Sequence, residues 1–534
     1  MLRTTTATWL AIVSIASVAC ADAPADDPLV TRARTLEANA YETKSDADFM
    51  SAAIALEEAV ARFPDDLKLR RSAGFLWLEK LKYADRAYPH LEIAYQATPS
   101  EPGWGEMLAS AAEQTGRQSR QIQVLKEVVD RHPEDPWARL KLGRALMDAG
   151  RPDEARPHYE KAYSVSPTDP WVSNHYAEFL IKQSNVAKAR DVAQQNVRNH
   201  PDSAAARATL GDVYRFDWNL TAAAAAYAEA KAIDPTLPNA DDGLRKVTLA
   251  RSPTFNTVFY QFKDTDNFNQ SGSFNSLTVP VANRLFLTGT FNARFFEDDD
   301  NALGRRTRYE EAIGLEYRAN HWLSLQGSVT AFQTEKADEE VGFTLGATIK
   351  PTNRFYAYGF VHVNDPVSDS FVTVADGLTQ DLVGAGAGYQ LSNRWSAVVI
   401  TSLAGYSDGN ERRFLNADTS YLLWAKPQLY ARAQYEIIDY EFNTQRYSSP
   451  DAYQIFRPTI EAEPQLTSWL SLRARLEVPY VVDDSRWGTG ITIGPVVRVR
   501  DRLEFNAAYM RFDIPGDVSR YNGEGFRLQL IYRF

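Results

Sequence analysis

The segment Leu528–Phe534 reads LQLIYRF. Its apolar side chains recur at every second position: Leu528, Leu530, Tyr532 and Phe534. A period of two is that of a β-strand with one apolar face. An unprotected apolar edge strand invites aggregation, whereas a strand that closes a barrel has no free edge. The pattern therefore predicts the closing strand of a β-barrel.

The second half of the chain, from Phe255 onward, repeats this alternation in segments of about ten residues, the length of a membrane-spanning strand. Examples are VGFTLGATI (341–349), LSLRARLEV (470–478) and LEFNAAY (503–509). In each segment one face is apolar and the other is polar or small. An apolar face packs inside a soluble sandwich but faces lipid in a membrane barrel, so the period alone leaves both alternatives open.

The turns between these segments favour the membrane barrel. Most tight turns are directly followed by an aromatic residue or leucine, such as Trp322, Trp395 and Trp469, which is typical of an aromatic girdle at a membrane interface. Longer polar connections alternate with them. Seven tight turns predict sixteen antiparallel strands over 254–534, and a miscount of one hairpin would give fourteen. The turns lie near Asn283, Asn320, Thr352, Asn393, Lys426, Ser468 and Asp501.

The same alternation of turns predicts a topology. The longer connection Asp365–Leu378 is expected outside the cell, and the turn Ser392–Arg394 in the periplasm. Both ends of the barrel then lie on the side of the short turns.

The first half of the chain contains a repeat. Pro99, Pro133, Pro167, Pro201 and Pro235 are each 34 residues apart. The pattern of small and aromatic residues within each period resembles the tetratricopeptide repeat. It predicts an α-solenoid over 30–251, with about six repeats and a capping helix. Such a solenoid is a binding scaffold, although a plain spacer is the alternative. The best-formed unit carries Leu142, Gly143, Ala155, Tyr159 and Ala162.

The N-terminus predicts secretion. Arg3 precedes a short apolar run, Trp9–Ala19, and small residues follow, which is typical of a secretory signal peptide over 1–21. Cys20, the one cysteine, is a lipidation candidate, or it leaves with the signal peptide. The net charge of −11 argues against a nucleic-acid partner.

Polar side chains on the late strands are candidates for lining the pore. They alternate with apolar residues, and a mixed wall of arginines and carboxylates would bind sugar hydroxyls weakly at many places. The alternative is that these charges pair across neighbouring strands and brace the wall. The candidates are Arg432, Gln434, Glu436, Glu461, Glu463, Arg473, Arg475, Glu477, Glu504, Arg527 and Gln529.

Three glycines, Gly384, Gly386 and Gly388, are expected to bare the inner wall of one strand and widen the bore, unless they only serve sheet curvature.

Catalysis and metal binding are not expected. A histidine–serine catalytic pair would need a histidine near the outer rim, and the barrel has two histidines. His321 falls in a short turn, which leaves His362, with Ser368 and Ser370 nearby in sequence. The acidic segment Glu297–Asp300 could hold calcium, although a solvated loop is the simpler interpretation. We expect no cofactor and no catalytic activity.

Taken together, a secreted solenoid followed by a sixteen-strand barrel resembles the outer-membrane exporters of poly-N-acetylglucosamine and of bacterial cellulose. The segment Arg446–Tyr453 resembles the aromatic-Ser/Asn-Pro-x-x-Tyr motif found between late strands of such exporters. Six repeats are far fewer than the cellulose exporter carries. Surface-lipoprotein translocators, which join such repeats to fourteen strands, are a competing resemblance, and an orphan scaffold or adhesin-like barrel is the third alternative.

The exporter resemblance implies the location and partners. The barrel would lie in the bacterial outer membrane as a monomer, with the N-terminal domain in the periplasm. Its partners would be a polysaccharide chain, outer-membrane lipid, and periplasmic or inner-membrane synthesis proteins bound through the repeats. The ending resembles the C-terminal signature that the barrel assembly machinery reads, here Leu530, Tyr532 and Phe534.

Overall fold

The computed structural model describes residues 22–534 except 102, 266–267, 299–303, 336, 369, 445–448, 450–451 and 516–519. The signal peptide, the lipidation candidate Cys20, part of the acidic segment Glu297–Asp300 and most of the motif Arg446–Tyr453 lie outside the described residues and stay predictions. The chain divides into two compact units, Met1–Pro167 and Thr168–Phe534.

The described part of the first unit consists of antiparallel helix pairs, α1 with α2, α3 with α4, α5 with α6 and α7 with α8. A π-helical turn, Leu76–Lys80, extends α3. The helices are α1 (Pro28–Thr43), α2 (Asp46–Arg62), α3 (Leu67–Phe75), α4 (Ala84–Ala97), α5 (Trp104–Gln114), α6 (Gln118–Arg131), α7 (Pro136–Asp148) and α8 (Pro152–Val165).

The second unit begins with two more helix pairs and a single helix that packs on the last pair. These are α9 (Pro170–Lys182), α10 (Val186–Asn199), α11 (Ala204–Phe216), α12 (Leu220–Ile233) and α13 (Pro238–Ala250). Across both units, each proline of the 34-residue series comes two residues after the end of a helix, as the sequence predicted. None of the described helices is long and apolar enough to cross a membrane.

Aspartates start several of the helices. Asp169 Oδ1 accepts hydrogen bonds from the backbone N–H groups of Trp171 and Val172 at 2.9 and 3.0 Å. Pro170 follows as the first helical residue, where its missing N–H costs nothing. The sequence Asp-Pro therefore sets where α9 begins, and Asp135-Pro136 does the same for α7.

Glycines allow close packing at the end of the helical array. The ring of Tyr227 on α12 is fully buried, and Gly211 and Gly243 both face it. A Cβ at Gly243 would lie 2.3 Å from Tyr227 Cε1, and one at Gly211 would lie 2.7 Å away. The Tyr227 hydroxyl donates to Asp212 Oδ1 at 2.8 Å. Small residues are needed here because the ring fills the space between three helices.

We expect Gly243→Val to loosen α13. The new side chain must displace the Tyr227 ring or the helix, and overpacking of this kind costs about 1–3 kcal/mol. Unfolding of the helices of the full-length protein, followed by far-ultraviolet circular dichroism in urea, would measure the loss. Ala225→Val on the exposed side of α12 is the control, since it changes helix propensity by less than about 1 kcal/mol. Equal destabilisation by both variants would contradict this packing.

The other described residues of the second unit form a closed antiparallel barrel of sixteen long strands. The strands are β1 (Thr254–Asp264), β2 (Phe268–Ala282), β3 (Leu285–Asp298), β4 (Arg305–Arg318), β5 (Leu323–Thr334), β6 (Glu339–Ile349), β7 (Phe355–Pro366), β8 (Thr379–Gln390), β9 (Trp395–Tyr406), β10 (Glu411–Ala425), β11 (Gln428–Tyr440), β12 (Tyr453–Glu463), β13 (Leu470–Glu477), β14 (Thr489–Val499), β15 (Leu503–Pro515) and β16 (Arg520–Arg533). Two short segments, Tyr480–Val481 and Arg486–Trp487, form a small hairpin between β13 and β14.

The segment that opened the sequence analysis closes the barrel. β16 pairs with β1 along its length, from Thr254 opposite Arg533 to Asp264 opposite Gly523. The predicted fold class, a tetratricopeptide-repeat solenoid followed by a sixteen-strand antiparallel barrel, is confirmed. The seven predicted tight turns each join the strands expected of them.

Candidate functional site

The outer face of the barrel is apolar. Ile313, Leu345 and Phe259 expose 68%, 67% and 54% of their surface. Directly opposed residues of antiparallel strands share a face, so the register places neighbouring apolar residues on this side as well. Trp322, Trp395 and Trp469 are also exposed. A soluble protein does not expose such a continuous apolar belt, so the structure selects the membrane barrel from the two alternatives that the alternation left open.

The predicted pore-lining residues all fall on the opposite, inward face. The register aligns Arg432 with Thr459, and Glu461 with both Tyr430 and Arg475, so β11, β12 and β13 present one polar wall. Gln529 on β16 donates to Asn256 of β1 at 2.9 Å across the closure. The inward set is Arg432, Gln434, Glu436, Glu461, Glu463, Arg473, Arg475, Glu477, Glu504, Arg527 and Gln529.

Most of these charges pair with each other. Arg432 Nη1 lies 2.8 Å from Glu461 Oε2, and Arg473 Nη2 lies 2.7 Å from Glu463 Oε2. Arg475 and Glu477 are 3.4 Å apart on the same strand. Two inward arginines that the sequence analysis omitted complete the network: Arg457 reaches Glu436 at 3.2 Å, and Arg498 reaches Glu463 at 3.2 Å and Glu504 at 3.6 Å. The wall from β10 to β16 is thus polar but largely self-neutralised.

The wall from β5 to β9 differs in chemistry. Its inward positions carry hydroxyls, amides, glycines and aromatic rings, for example Ser328, Thr344 and Ser402. Glu340 and Asp365 lie at the end of these strands that borders the β7–β8 connection. Charged inward residues also lie on β3 and β4, such as Arg294, Glu310 and Glu316. The lumen therefore has a nearly uncharged wall, β5–β9, between two charged ones.

The three glycines of β8 do not leave this wall bare, contrary to the expectation from sequence. A Cβ at Gly384, Gly386 or Gly388 would lie 2.4, 2.5 or 2.3 Å from a ring atom of Phe360, Tyr358 or Tyr356, respectively. Aromatic side chains of β7 occupy the space instead. The glycines allow these rings to lie close to the backbone of β8, so the bore is not widened there.

The connection between β7 and β8 folds against inward-facing side chains. It contains a short helix, α14 (Phe371–Ala375), whose Phe371 and Val374 pack with Phe268 and Phe296. Val367 and Leu378 pack in a second cluster with Ala404, Tyr406 and Tyr440. The sequence predicts a polar loop here, but the apolar residues of this segment fill one end of the lumen.

Two inward arginines fix the same connection. Arg308 is 1% exposed and donates to Val367 O at 3.1 Å, Ser368 Oγ at 2.8 Å and Thr334 Oγ1 at 2.9 Å. Arg294 donates to Ser368 Oγ at 2.8 Å. Because the Ser368 hydroxyl accepts from both arginines, it anchors the loop at its start.

The residues considered for catalysis have other contacts. His362 Nδ1 lies 3.3 Å from Thr344 Oγ1, and Ser370 caps α14 through Thr373. Glu297 of the acidic segment pairs with Arg305 at 2.6 Å. Ser368 and Ser370 thus hold the connection in place.

At the other end of the barrel, the short turns contact the helices α9–α13. Asp217, after α11, is bound by Arg190 at 2.8 Å, Arg284 at 3.0 Å and His321 at 3.4 Å. Burial by itself raises the pKa of Asp217, but the hydrogen bond from His321 and the charges of Arg284 and Arg190 outweigh it and lower the pKa. The turn residues Arg284 and His321 therefore tie the barrel to the last repeats.

An aromatic contact supports this junction. Trp218 packs edge-on to Phe286 with centroids 5.9 Å apart, and the Arg318 guanidinium lies 4.0 Å from the Trp218 ring. Further contacts join Arg251 to Asn283, and Arg245 to Asp501 in an ion pair. The junction was not predictable from the sequence, because its partners are far apart in the chain and its residues carry no local motif.

Comparison with known proteins finds similarities to both parts of the chain. A family model of the tetratricopeptide repeat matches residues 122–157 and 146–213. Among solved structures, a bacterial polysaccharide outer membrane secretin is similar at 12% identity and a TM-score of 0.47, over 53% of this chain and 99% of that one. CdiB from Acinetobacter baumannii is similar at 13% identity and a TM-score of 0.36, over 53% of this chain and 60% of that one.

A thermophilic repeat protein of Thermus thermophilus is similar to the helical part, at 20% identity and a TM-score of 0.30, over 34% of this chain and 99% of that one. No curated protein matches the chain by sequence. The strand pairing and the repeated helix pairs of this chain are what define its fold.

Proposed function

We propose that this chain is an outer-membrane export porin for a secreted polysaccharide, with its repeats in the periplasm. The observation that carries the proposal is the inward face of the barrel. It offers hydroxyls, amides, aromatic rings and self-paired charges behind an apolar outer belt. Such a surface can hold a sugar polymer weakly at many positions, which is what passage through a pore requires.

The repeats would act at the periplasmic mouth. The helices α9–α13 are fastened to the short turns through Asp217, Arg284 and His321. A polymer or a synthesis protein bound along these helices would be held beside the mouth formed by those turns. This arrangement supports a scaffold that delivers its cargo, and it argues against a plain spacer.

The eleven inward polar residues would keep the bore hydrated and braced. Because Arg432, Arg473 and Arg475 have carboxylate partners within 2.7–3.4 Å, they offer little free charge to a polyanion. Their contribution to transport would be weak hydrogen bonding to sugar hydroxyls. The terminal residues Leu530, Tyr532 and Phe534 would serve recognition by the barrel assembly machinery.

Translocation of proteins or surface lipoproteins is the alternative. The sixteen long strands match the exporters in the resemblance better than the fourteen-strand translocators. The nearly uncharged inner wall of β5–β9 also suits a hydroxyl-rich polymer better than a mixed-charge polypeptide.

Deletion of the gene tests the export function. We expect the deletion strain to retain polysaccharide in the periplasm and to lose it from the medium, because under this proposal the barrel is the path of the polymer through the outer membrane. Restoring the wild-type gene should restore secretion, while Phe343→Leu on the outer face is a control that should also restore it. Unchanged polysaccharide secretion in the deletion strain, or loss of surface proteins in its place, would contradict the proposal.

A further inference from the structure

Four rings form a continuous line along the uncharged wall of the lumen. They belong to Tyr356, Tyr358, Phe360 and His362, alternate residues on the inward face of β7. Tyr356 and Tyr358 have centroids 6.4 Å apart and planes within 10° of parallel. Tyr358 and Phe360 are 6.2 Å apart with planes at 18°, and His362 meets Phe360 edge-on at 5.3 Å. We call these four residues the aromatic ladder.

The neighbouring strand is built to accommodate the ladder. Gly388, Gly386 and Gly384 of β8 stand directly opposite Tyr356, Tyr358 and Phe360. Each ring reaches over its glycine into space that any Cβ would occupy. The three glycine–ring pairs place all three rings over β8. Each of these rings is only half-buried, so part of it is accessible from the lumen.

The side chains around the ladder favour an uncharged sugar chain over an anionic one. The inward positions of β6 and β9 beside the ladder are Thr344, Thr348, Ser396 and Ser402 with small or apolar residues, so hydroxyls flank the rings. The inward arginines lie on β3, β4 and β10–β16, where most of them pair with carboxylates, and the described residues of β5–β9 include no arginine or lysine. An anionic polymer would find no row of unpaired cations along the ladder, whereas the apolar face of an uncharged sugar ring can pack on an aromatic face while its hydroxyls bond to the flanking side chains.

We propose that the aromatic ladder is a sliding track for a neutral hexose polymer. The inference rests on the proposed export function and narrows its substrate class to uncharged sugar chains. Within the ladder, Tyr356, Tyr358 and Phe360 are near-parallel rings at 6.4 and 6.2 Å, which gives successive binding positions of similar strength. A chain can then advance by one position without a large barrier, as conduction through a multi-site pore requires.

Binding of short sugar chains to the purified full-length protein in detergent tests the track. The probes are a neutral β-linked glucose hexasaccharide and an anionic uronate hexasaccharide, with dissociation constants measured by calorimetry. We expect the neutral probe to bind the wild type more tightly than the anionic one. Tyr358→Leu should weaken binding of the neutral probe by about three- to tenfold, the range that one aromatic contact supports.

Matched variants separate the ring from general damage. Phe343→Leu, which alters an exposed ring on the outer face of β6, should bind as the wild type does. Tyr358→Phe keeps the ring and should bind the neutral probe more tightly than Tyr358→Leu does. Gly386→Ala changes none of the four ladder residues, but its new methyl group would displace the Tyr358 ring. It should therefore weaken binding as well. Heat-modifiable migration in gels confirms that each variant is folded.

The outcomes distinguish this inference from the proposed function. Tighter binding of the anionic probe, no binding of the neutral probe, or unaltered binding by Tyr358→Leu and Gly386→Ala would each overturn the track. Those results would not test the export function, which the gene-deletion experiment tests separately. Secretion that does not depend on the chain would overturn the proposed function, whatever the calorimetry shows.

Discussion

Excising the connection between β7 and β8 should open the barrel. When residues 367–378 are replaced by a short glycine–serine turn, we expect the single-channel conductance in planar lipid bilayers to rise severalfold. In the native chain Phe371 and Val374 pack against Phe268 and Phe296, so the segment occupies space at one end of the lumen. Removing it returns that space to water and ions.

A smaller change should act in the same direction. Arg308→Ala removes the hydrogen bonds to Val367 O and Ser368 Oγ while the apolar contacts of the segment remain. We expect frequent, brief openings from this variant, in contrast to the steady opening after excision. Val363→Ala, on the outer face of the same strand β7, is the control and should conduct as the wild type does. A conductance that excision leaves unchanged would show that the segment does not limit the pore.

Replacing Asp217 with alanine should release the last repeats from the short turns. The change leaves Arg190, Arg284 and His321 close together without their shared carboxylate. The Asp217 side chain is only 12% exposed, but the two arginines are about a third exposed, so solvent screens part of the cost. We expect a loss of about 1–3 kcal/mol at this junction.

Hydrogen–deuterium exchange of the full-length protein would localise that loss. Amides of α10, α11 and the turns near Arg284 and His321 should lose protection, whereas strand centres should not. Asp202→Ala, an exposed aspartate on the loop before α11, is the matched control. Exchange that Asp217→Ala leaves unchanged at the turns would contradict the role of this junction.

Acid should reproduce the effect of the alanine. Since the pKa of Asp217 is lowered in the folded state, its contribution is complete above the ordinary carboxyl value of 3.8 and is lost as pH falls through the lowered pKa. The same turn amides should therefore stay protected between pH 7 and pH 5, where Asp217 is ionised, and lose protection only below about pH 4.

The regular parts of the fold were predictable because each is encoded locally. The interval between Pro133, Pro167 and Pro201 reports where second helices end, and the period of two reports strands. Sixteen strands followed from seven short turns. The faces of the strands were predictable for the same reason, since a residue such as Arg432 alternates with apolar neighbours and a charge facing lipid costs about 2–4 kcal/mol at the membrane midplane.

The features that depend on distant partners were not predictable. Asp217 meets Arg284 and His321 only because the barrel closes, and nothing near Asp217 in sequence indicates it. The β7–β8 connection looked polar because Asp365, Ser368 and Ser370 dominate its start. One signal was present, since Phe371, Val374 and Leu378 recur at near-helical spacing, but a loop of this length did not suggest a helix that packs inside the barrel.

The glycines of β8 show a related difficulty. Gly384, Gly386 and Gly388 are equally consistent with a wide bore or with large neighbours, and only the strand register decides between them. The register aligns each with an aromatic residue of β7, which converts an apparent gap into an aromatic surface.

Photo-crosslinking inside the lumen tests most directly that this barrel conducts a sugar polymer. A photoreactive phenylalanine analogue would be placed at Tyr358 on the inward face, or at Phe343 on the outward face as the control, in cells that are secreting polysaccharide. After illumination, we predict that the barrel labelled at position 358 carries covalently attached glycan and that the barrel labelled at position 343 does not. Polypeptide captured at position 358 in place of glycan, or glycan captured equally at both positions, would contradict passage of a polysaccharide through this lumen.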